Sequence, residues 1–149
     1  IYQPVTDESD WAERGRGAWL HDRRLRVSSR RSLHECLIAT GIPYMGHGDM
    51  AQWGRVFGVV APEVAGIRRF GAASLDLAWV AAGRFDGFWE SDLAIWDVAA
   101  GMLLVREAGG FVSDFRGGDR TIERREFVAG SAAVHSKLQK LVAGALRGA

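Results

Sequence analysis

The stretch from Glu90 to Gly110, ESDLAIWDVAAGMLLVREAGG, constrains this chain more than any other. Between Val98 and Val105 a helix would have no polar face, and a helix apolar all round must be covered on all sides. Ala99-Ala100-Gly101 supplies small residues that let neighbouring elements approach closely. AASLDLAWVAA, which ends at Ala82, is nearly as apolar. Two such helices need layers above and below them. At the head of the first stands a lone acid, Asp97, and a buried charge is costly unless something pairs with it. Either Asp97 caps the helix, where the dipole and the orphan N–H groups favour a carboxylate, or it holds a cation.

The rest of the chain supplies the layers. Its first third reads as β: IYQPV, DWAERGRGAWLHDRRLRV and CLIAT are short segments separated by turn residues. Trp11 and Trp19 flank the Gly15–Gly17 turn, as in a two-stranded ribbon. After a glycine loop, Gly41–Gly48, apolar residues recur at helical spacing (Met50, Trp53, Phe57, Val60), with Asp49 as N-cap and Pro62 as the stop. Beyond it strands alternate with helices. AGIRRF, FDGFWE, FVSDF and REFVAG are the strands, a turn follows at Gly117-Gly118-Asp119, and Ser131 caps a last helix apolar at Val134, Leu138, Leu141 and Val142. Alternation of this kind predicts an α/β layered fold. Because Ile1-Tyr2-Gln3-Pro4-Val5 reads as a strand already under way, the sequence is expected to be part of a longer one.

Several function classes find no support. The net charge is +1 over 149 residues, so no global field favours nucleic acid or an anionic membrane. The arginines at 23, 24, 26, 30 and 31, and at 120, 124 and 125, lack interleaved aromatics and read as a solvated face. The one cysteine, Cys36, excludes an intrachain disulfide, suits a reducing cytoplasm and reads as a small core residue. No apolar run reaches the roughly 18 residues of a membrane span. GIPYMGHG has P-loop glycine spacing but lacks the Lys-Ser or Lys-Thr that reaches phosphate and metal, and GHGDMA lacks the strand and acid of a dinucleotide fingerprint. His21, His34, His47 and His135 are too scattered for zinc. No G-x-S-x-G elbow supports a serine hydrolase.

What remains is acidic. Glu90 ends a strand seven residues before Asp97, so both carboxylates are expected at one edge of the sheet, where ligands collect in open α/β layers. Gly71-Ala72-Ala73 opens a helix there and offers bare backbone N–H groups.

On these residues the chain resembles the inositol monophosphatase family of Mg²⁺-dependent, lithium-sensitive phosphatases. WDVAAGMLLVREAGG resembles the family's C-terminal signature, RRFGAASLDLAWVAAGRFDGFWE the segment before it, and DESDWAERGRGAWLHDRRLRVS its earlier β-ribbon. The resemblance implies the C-terminal half of an αβαβα sandwich, homodimeric and cytoplasmic, which hydrolyses phosphomonoesters with metal-activated water. It implies that Asp97 is a metal ligand, that Glu90 binds a substrate hydroxyl, and that the backbone of Gly71, Ala72 and Ala73 contacts substrate. The substrates implied are inositol, sugar, nucleotide or histidinol phosphates. The family's other metal ligands lie on an N-terminal glutamate and an Asp-Pro-x-Asp-Gly-Thr motif, and neither occurs here; Asp86-Gly87 lacks the second aspartate and the threonine. The expectation is therefore a chain that binds Mg²⁺ weakly and hydrolyses little alone. The alternative is a non-catalytic remnant serving as a binding or regulatory module.

Overall fold

Two sheets and two helix pairs alternate through the molecule. The computed structural model describes residues 1–147. Strands β1 (Tyr2–Gln3), β2 (Glu8–Glu13), β3 (Gly17–Leu20) and β4 (Arg23–Arg24) form an antiparallel four-stranded sheet in sequence order. Trp11 pairs with Trp19 across β2 and β3, and their rings stack with centroids 5.8 Å apart. The expected strand IYQPV is cut to two residues, because Pro4 has no N–H to donate to a ladder and the chain turns through a left-handed Asp7.

The second sheet has five strands: β5 (Leu37–Thr40), β6 (Gly66–Arg68), β7 (Gly87–Ser91), β8 (Phe111–Ser113) and β9 (Glu126–Gly130). Their order is β6-β5-β7-β9-β8, with β5 parallel to both β6 and β7, while β9 runs antiparallel to β7 and β8. Alternate residues face alternate layers. Phe88, Phe127 and Ala129 point to α2 (Ala73–Ala81) and α3 (Ile95–Glu107), whereas Trp89, Val128 and Ile38 point to α1 (Met50–Val60) and α5 (Ala132–Arg147). The four-stranded sheet closes the far side of α2 and α3 through Ala18, Leu20 and Leu25. The resulting order is sheet, α2/α3, sheet, α1/α5.

Several local expectations hold for visible reasons. Asp49 caps α1 by accepting from Gln52 N–H at 2.9 Å, and α1 ends two residues before Pro62. Gly83, left-handed at φ +69°, closes α2. At Gly101 a Cβ would come within 2.5 Å of Leu77 Cβ, so glycine is what lets α3 lie this close to α2. Cys36 is fully buried, just ahead of β5, and burial pushes its thiol up to about 11.

Other expectations are corrected. The buried positions of α1 are Val56 and Val60, while Met50 and Phe57 are exposed, because α1 meets α5 along the first pair's stripe. A one-turn helix, α4 (Thr121–Arg124), follows the Gly117–Asp119 turn. Most consequentially, α3 is not covered on all sides by the described residues. Val98, Gly101, Met102, Leu104 and Val105 are buried, but Ile95, Ala99 and Ala100 are exposed, and Trp96 is 81% exposed. Nor are the arginines all a solvated face. Arg30 bonds the buried Asp86 at 3.0 Å, and Arg124 pairs with the buried Asp114 at 3.5 Å.

Candidate functional site

Because β5 and β7 are parallel, their C-terminal ends lie at one edge of the sheet, and β9 begins there because it is antiparallel. The N-termini of α1 and α3 reach the same edge. A cavity of about 350 Å³ opens between them, lined by Glu90 and Asp97, by Gly41, Tyr44, His47 and Gly48 of the glycine loop, and by Trp53, Trp96 and Arg125 among others. Glu90 and Asp97, singled out from sequence, therefore share one wall. Gly71, Ala72 and Ala73 do not line this cavity; they open α2, whose N-cap Ala72 has no side chain to satisfy the first-turn N–H groups.

Asp97 stands at the third position of α3. Its Oδ2 accepts from the Ala94 N–H at 3.0 Å, and Ala94 has no side-chain acceptor to return the bond. This is half of a capping box. The other oxygen, Oδ1, has no hydrogen-bond donor among the described residues, so the cap leaves one carboxylate oxygen to face the cavity. Capping and cation binding are thus compatible in one side chain.

Glu90 sits where β7 leaves the core. Its carboxyl rests directly against Gly41, at a distance that a Cβ there would not permit. Burial pushes Glu90 up to about 7, assisted by the negative charge of Asp76, while Arg69 and the Gly41 backbone amide work against the shift. Asp76 lies on α2 and is 1% exposed, and neither of its oxygens has a hydrogen-bond partner among the described residues. Burial pushes it also to about 7, opposed by Arg69. Arg69 thus opposes the shift of both carboxyls.

Asp76 was not singled out from sequence, though the signal is the one that marks Asp97: a lone acid inside an apolar run. Two further residues carried no such signal. Arg125 donates from Nε to the Leu93 carbonyl at 3.1 Å and from Nη2 to the Asp92 carbonyl at 2.9 Å, and its Nη2 lies 3.1 Å from Asp92 Oδ1. The Asp92 N–H donates back to the Arg125 carbonyl at 2.7 Å, and Asp92 Oδ2 accepts from Gly48 N–H at 2.7 Å. This junction joins β9, the turn leading to Asp97, and the glycine loop. Asp92 at φ +64° and Arg125 at φ +55° are both left-handed, a conformation costly outside glycine that persists where surrounding contacts enforce it.

Among the described residues no three His, Cys, Asp or Glu side chains converge as a metal-holding group. Hard cations such as Mg²⁺ take about six oxygen ligands. The free oxygen of Asp97 is a donor of that kind, and the described residues bring no full set of such donors to it.

The sequence and the fold that carry this cleft are shared with known proteins. The inositol monophosphatase family model matches residues 1–149, and the chain belongs to that family. It is 51% identical over 142 residues to the inositol-1-monophosphatase of Rhizobium meliloti, covering 95% of this chain and 53% of that protein. It is also 51% identical over 133 residues to Nus factor SuhB of Pseudomonas aeruginosa, covering 88% and 49% respectively. The crystal structure of extragenic suppressor protein suhB from Bartonella henselae superposes with a TM-score of 0.92 at 51% identity, over 95% of this chain and 55% of that one. An IMPase from Thermotoga maritima gives 0.87 at 33% identity, over 99% and 56%. The chain thus spans about half the length of the relatives it matches.

Proposed function

We propose that this chain is the C-terminal portion of a metal-dependent phosphomonoesterase of the inositol monophosphatase type, acting on a small polyol or sugar phosphate. The observation that carries the reading is the free Oδ1 of Asp97 on the same cavity wall as Glu90. Asp97 holds one position of a Mg²⁺ site, and Mg²⁺, when bound, neutralises phosphoryl charge and makes a bound water more acidic. Glu90, in its ionised form, accepts a hydrogen bond from a substrate hydroxyl and so orients the ring. Gly71, Ala72 and Ala73 lie outside the cavity's lining, and their part in the reading is to offer backbone N–H groups at the head of α2 to a substrate that extends beyond it. The Asp92–Arg125 junction holds the glycine loop and the Asp97 turn at a fixed separation. Homodimeric assembly, lithium sensitivity and a cytoplasmic location belong to the same reading.

Alone, the 149-residue chain is expected to bind Mg²⁺ weakly and to hydrolyse inositol 1-phosphate no faster than background. In a protein extended to the length of its relatives, Asp97→Asn should lower kcat about a hundredfold, roughly 2.7 kcal/mol of barrier. Glu90→Gln should act mainly on KM. EDTA-sensitive, Asp97-dependent turnover by the chain alone would show that its site needs no further ligands; full activity of the extended Asp97→Asn protein would remove Asp97 from the chemistry. A second reading, a binding or regulatory module, is favoured by the relatives named Nus factor SuhB. It predicts an extended protein that performs its cellular role unchanged with Asp97→Asn.

A further inference from the structure

A second cavity, of about 690 Å³, lies on the outer side of the five-stranded sheet, between α1, α5 and the connection from β8 to β9. It shares no lining residue with the cleft of Glu90 and Asp97. Its volume falls within the roughly 300–1,000 Å³ of small-molecule sites. Three arginines line it from three different elements: Arg55 from α1, Arg116 from the connection, and Arg147 from the end of α5.

Arg16, Arg30, Arg84, Arg124 and Arg125 pair with carboxylates, whereas among the described residues Arg55 and Arg116 make no side-chain hydrogen bond or ion pair and so remain available to a ligand. Asp114, two residues before Arg116, is already committed: its Oδ1 accepts from the backbone N–H groups of Arg116 and Gly118, and its Oδ2 faces Arg124. Among the described residues the one carboxylate on the cavity wall is Glu126, half-buried and accepting from the Phe115 N–H at 3.4 Å. Among those residues three arginines therefore line the cavity with one acid. Gln52 and Gln139 add amide groups, and Gln139 is fixed because its Nε2 donates to the Phe115 carbonyl at 2.9 Å.

We infer that this outer cavity is a binding site for a compact polyanion, a small phosphorylated or multiply carboxylated molecule clamped by Arg55 and Arg116. Guanidinium forks match the paired oxygens of both groups, which an isolated point charge would not. The floor of Phe115 and Leu146 excludes water beneath the anion, and Glu126 is the internal competitor that keeps the empty site from being strongly cationic.

The test uses the 149-residue chain in EDTA, with inorganic pyrophosphate and citrate as probes and sodium chloride at matched ionic strength as the control, followed by thermal shift and calorimetry. At least one probe should bind saturably and raise Tm; which one does so separates a phosphorylated from a carboxylated ligand. The double variant Arg55→Gln/Arg116→Gln, altered only at exposed positions, should weaken that binding at least tenfold. Glu90→Gln and Asp97→Asn should leave it unchanged, which separates the site from the cleft. Glu126→Gln, which keeps the acceptor for Phe115, should tighten it severalfold. Neither probe exceeding the salt control, the double variant binding as well as the parent, binding that follows Glu90 or Asp97, or Glu126→Gln failing to tighten would each overturn the assignment.

Discussion

Helices α3 and α5 pack on opposite faces of the same sheet, yet their unburied sides have little in common. α5 buries Val134, Leu138 and Val142 and turns Ser136, Lys137 and Lys140 outward. α3 buries Val98, Met102 and Val105 and turns Ile95, Trp96, Ala99 and Ala100 outward. Burial of one stripe is common to both; the second face differs, and it records what environment the helix was selected for. That of α5 suits water. That of α3 is an apolar patch of the kind that marks a contact surface, so α2 and α3 have the composition of an inner layer. Their glycines agree. A Cβ at Gly101 would strike Leu77, whereas at Gly54, Gly58 and Gly144 in the outer pair it would meet nothing within 4 Å among the described residues.

The contrast can be broken in three ways. The largest effect is expected from Gly101→Val, which forces α3 off α2. Overpacking a seam of this kind costs about 3 kcal/mol, read as a lower urea midpoint. Wild-type stability after this change would mean that α2 and α3 are not rigidly packed. Next comes pH. Asp76 and Glu90, on the inner side of the sheet, are both pushed up to about 7 from ordinary values of 3.8 and 4.5. Between pH 4 and 7 the folded chain therefore keeps protons that the unfolded chain has released, so stability falls as pH rises through this window and levels off above it. Asp76→Asn should flatten the decline in Tm; an unchanged slope would mean that Asp76 is not the group responsible. The smallest effect is the mirror of the first. Gly144→Ala, in the outer layer, should stabilise by about 0.7 kcal/mol through helix propensity alone. A destabilisation comparable to that at Gly101 would erase the distinction between the layers.

Much of this was legible in the sequence, and the limits have physical causes. Asp97 and Glu90 were readable because an acid in an apolar setting is expensive enough to need a reason. The layered fold was readable because strands and helices alternate at clean spacing and Gly83 and Pro62 punctuate them. The stripe of α1 was legible in part: Val60 is buried and Trp53 packs partly against the core, but Met50 and Phe57 are exposed and Val56 fills the seam with α5. The full covering expected for α3 follows from its composition, and composition reports what a face prefers, not what these residues supply. Asp92 and Arg125 left no trace at all. They are 33 residues apart, Asp92 between the elements read from sequence and Arg125 at the start of the strand REFVAG, and nothing in either stretch announces that the two meet.

The pairing of β7 with β9 sets Phe88 opposite Ala129, Trp89 opposite Val128 and Glu90 opposite Phe127. Odd and even positions along these strands are delivered to different sides of the sheet, so this ladder works as a reading frame. Removing one residue between Gly83 and Gly87 would be a frameshift in space: Trp89 would be sent among α2 and α3, and Glu90 would be delivered to the oily seam with α1 and α5. Length in that turn, more than the identity of any residue within it, is therefore what assigns the acid its address.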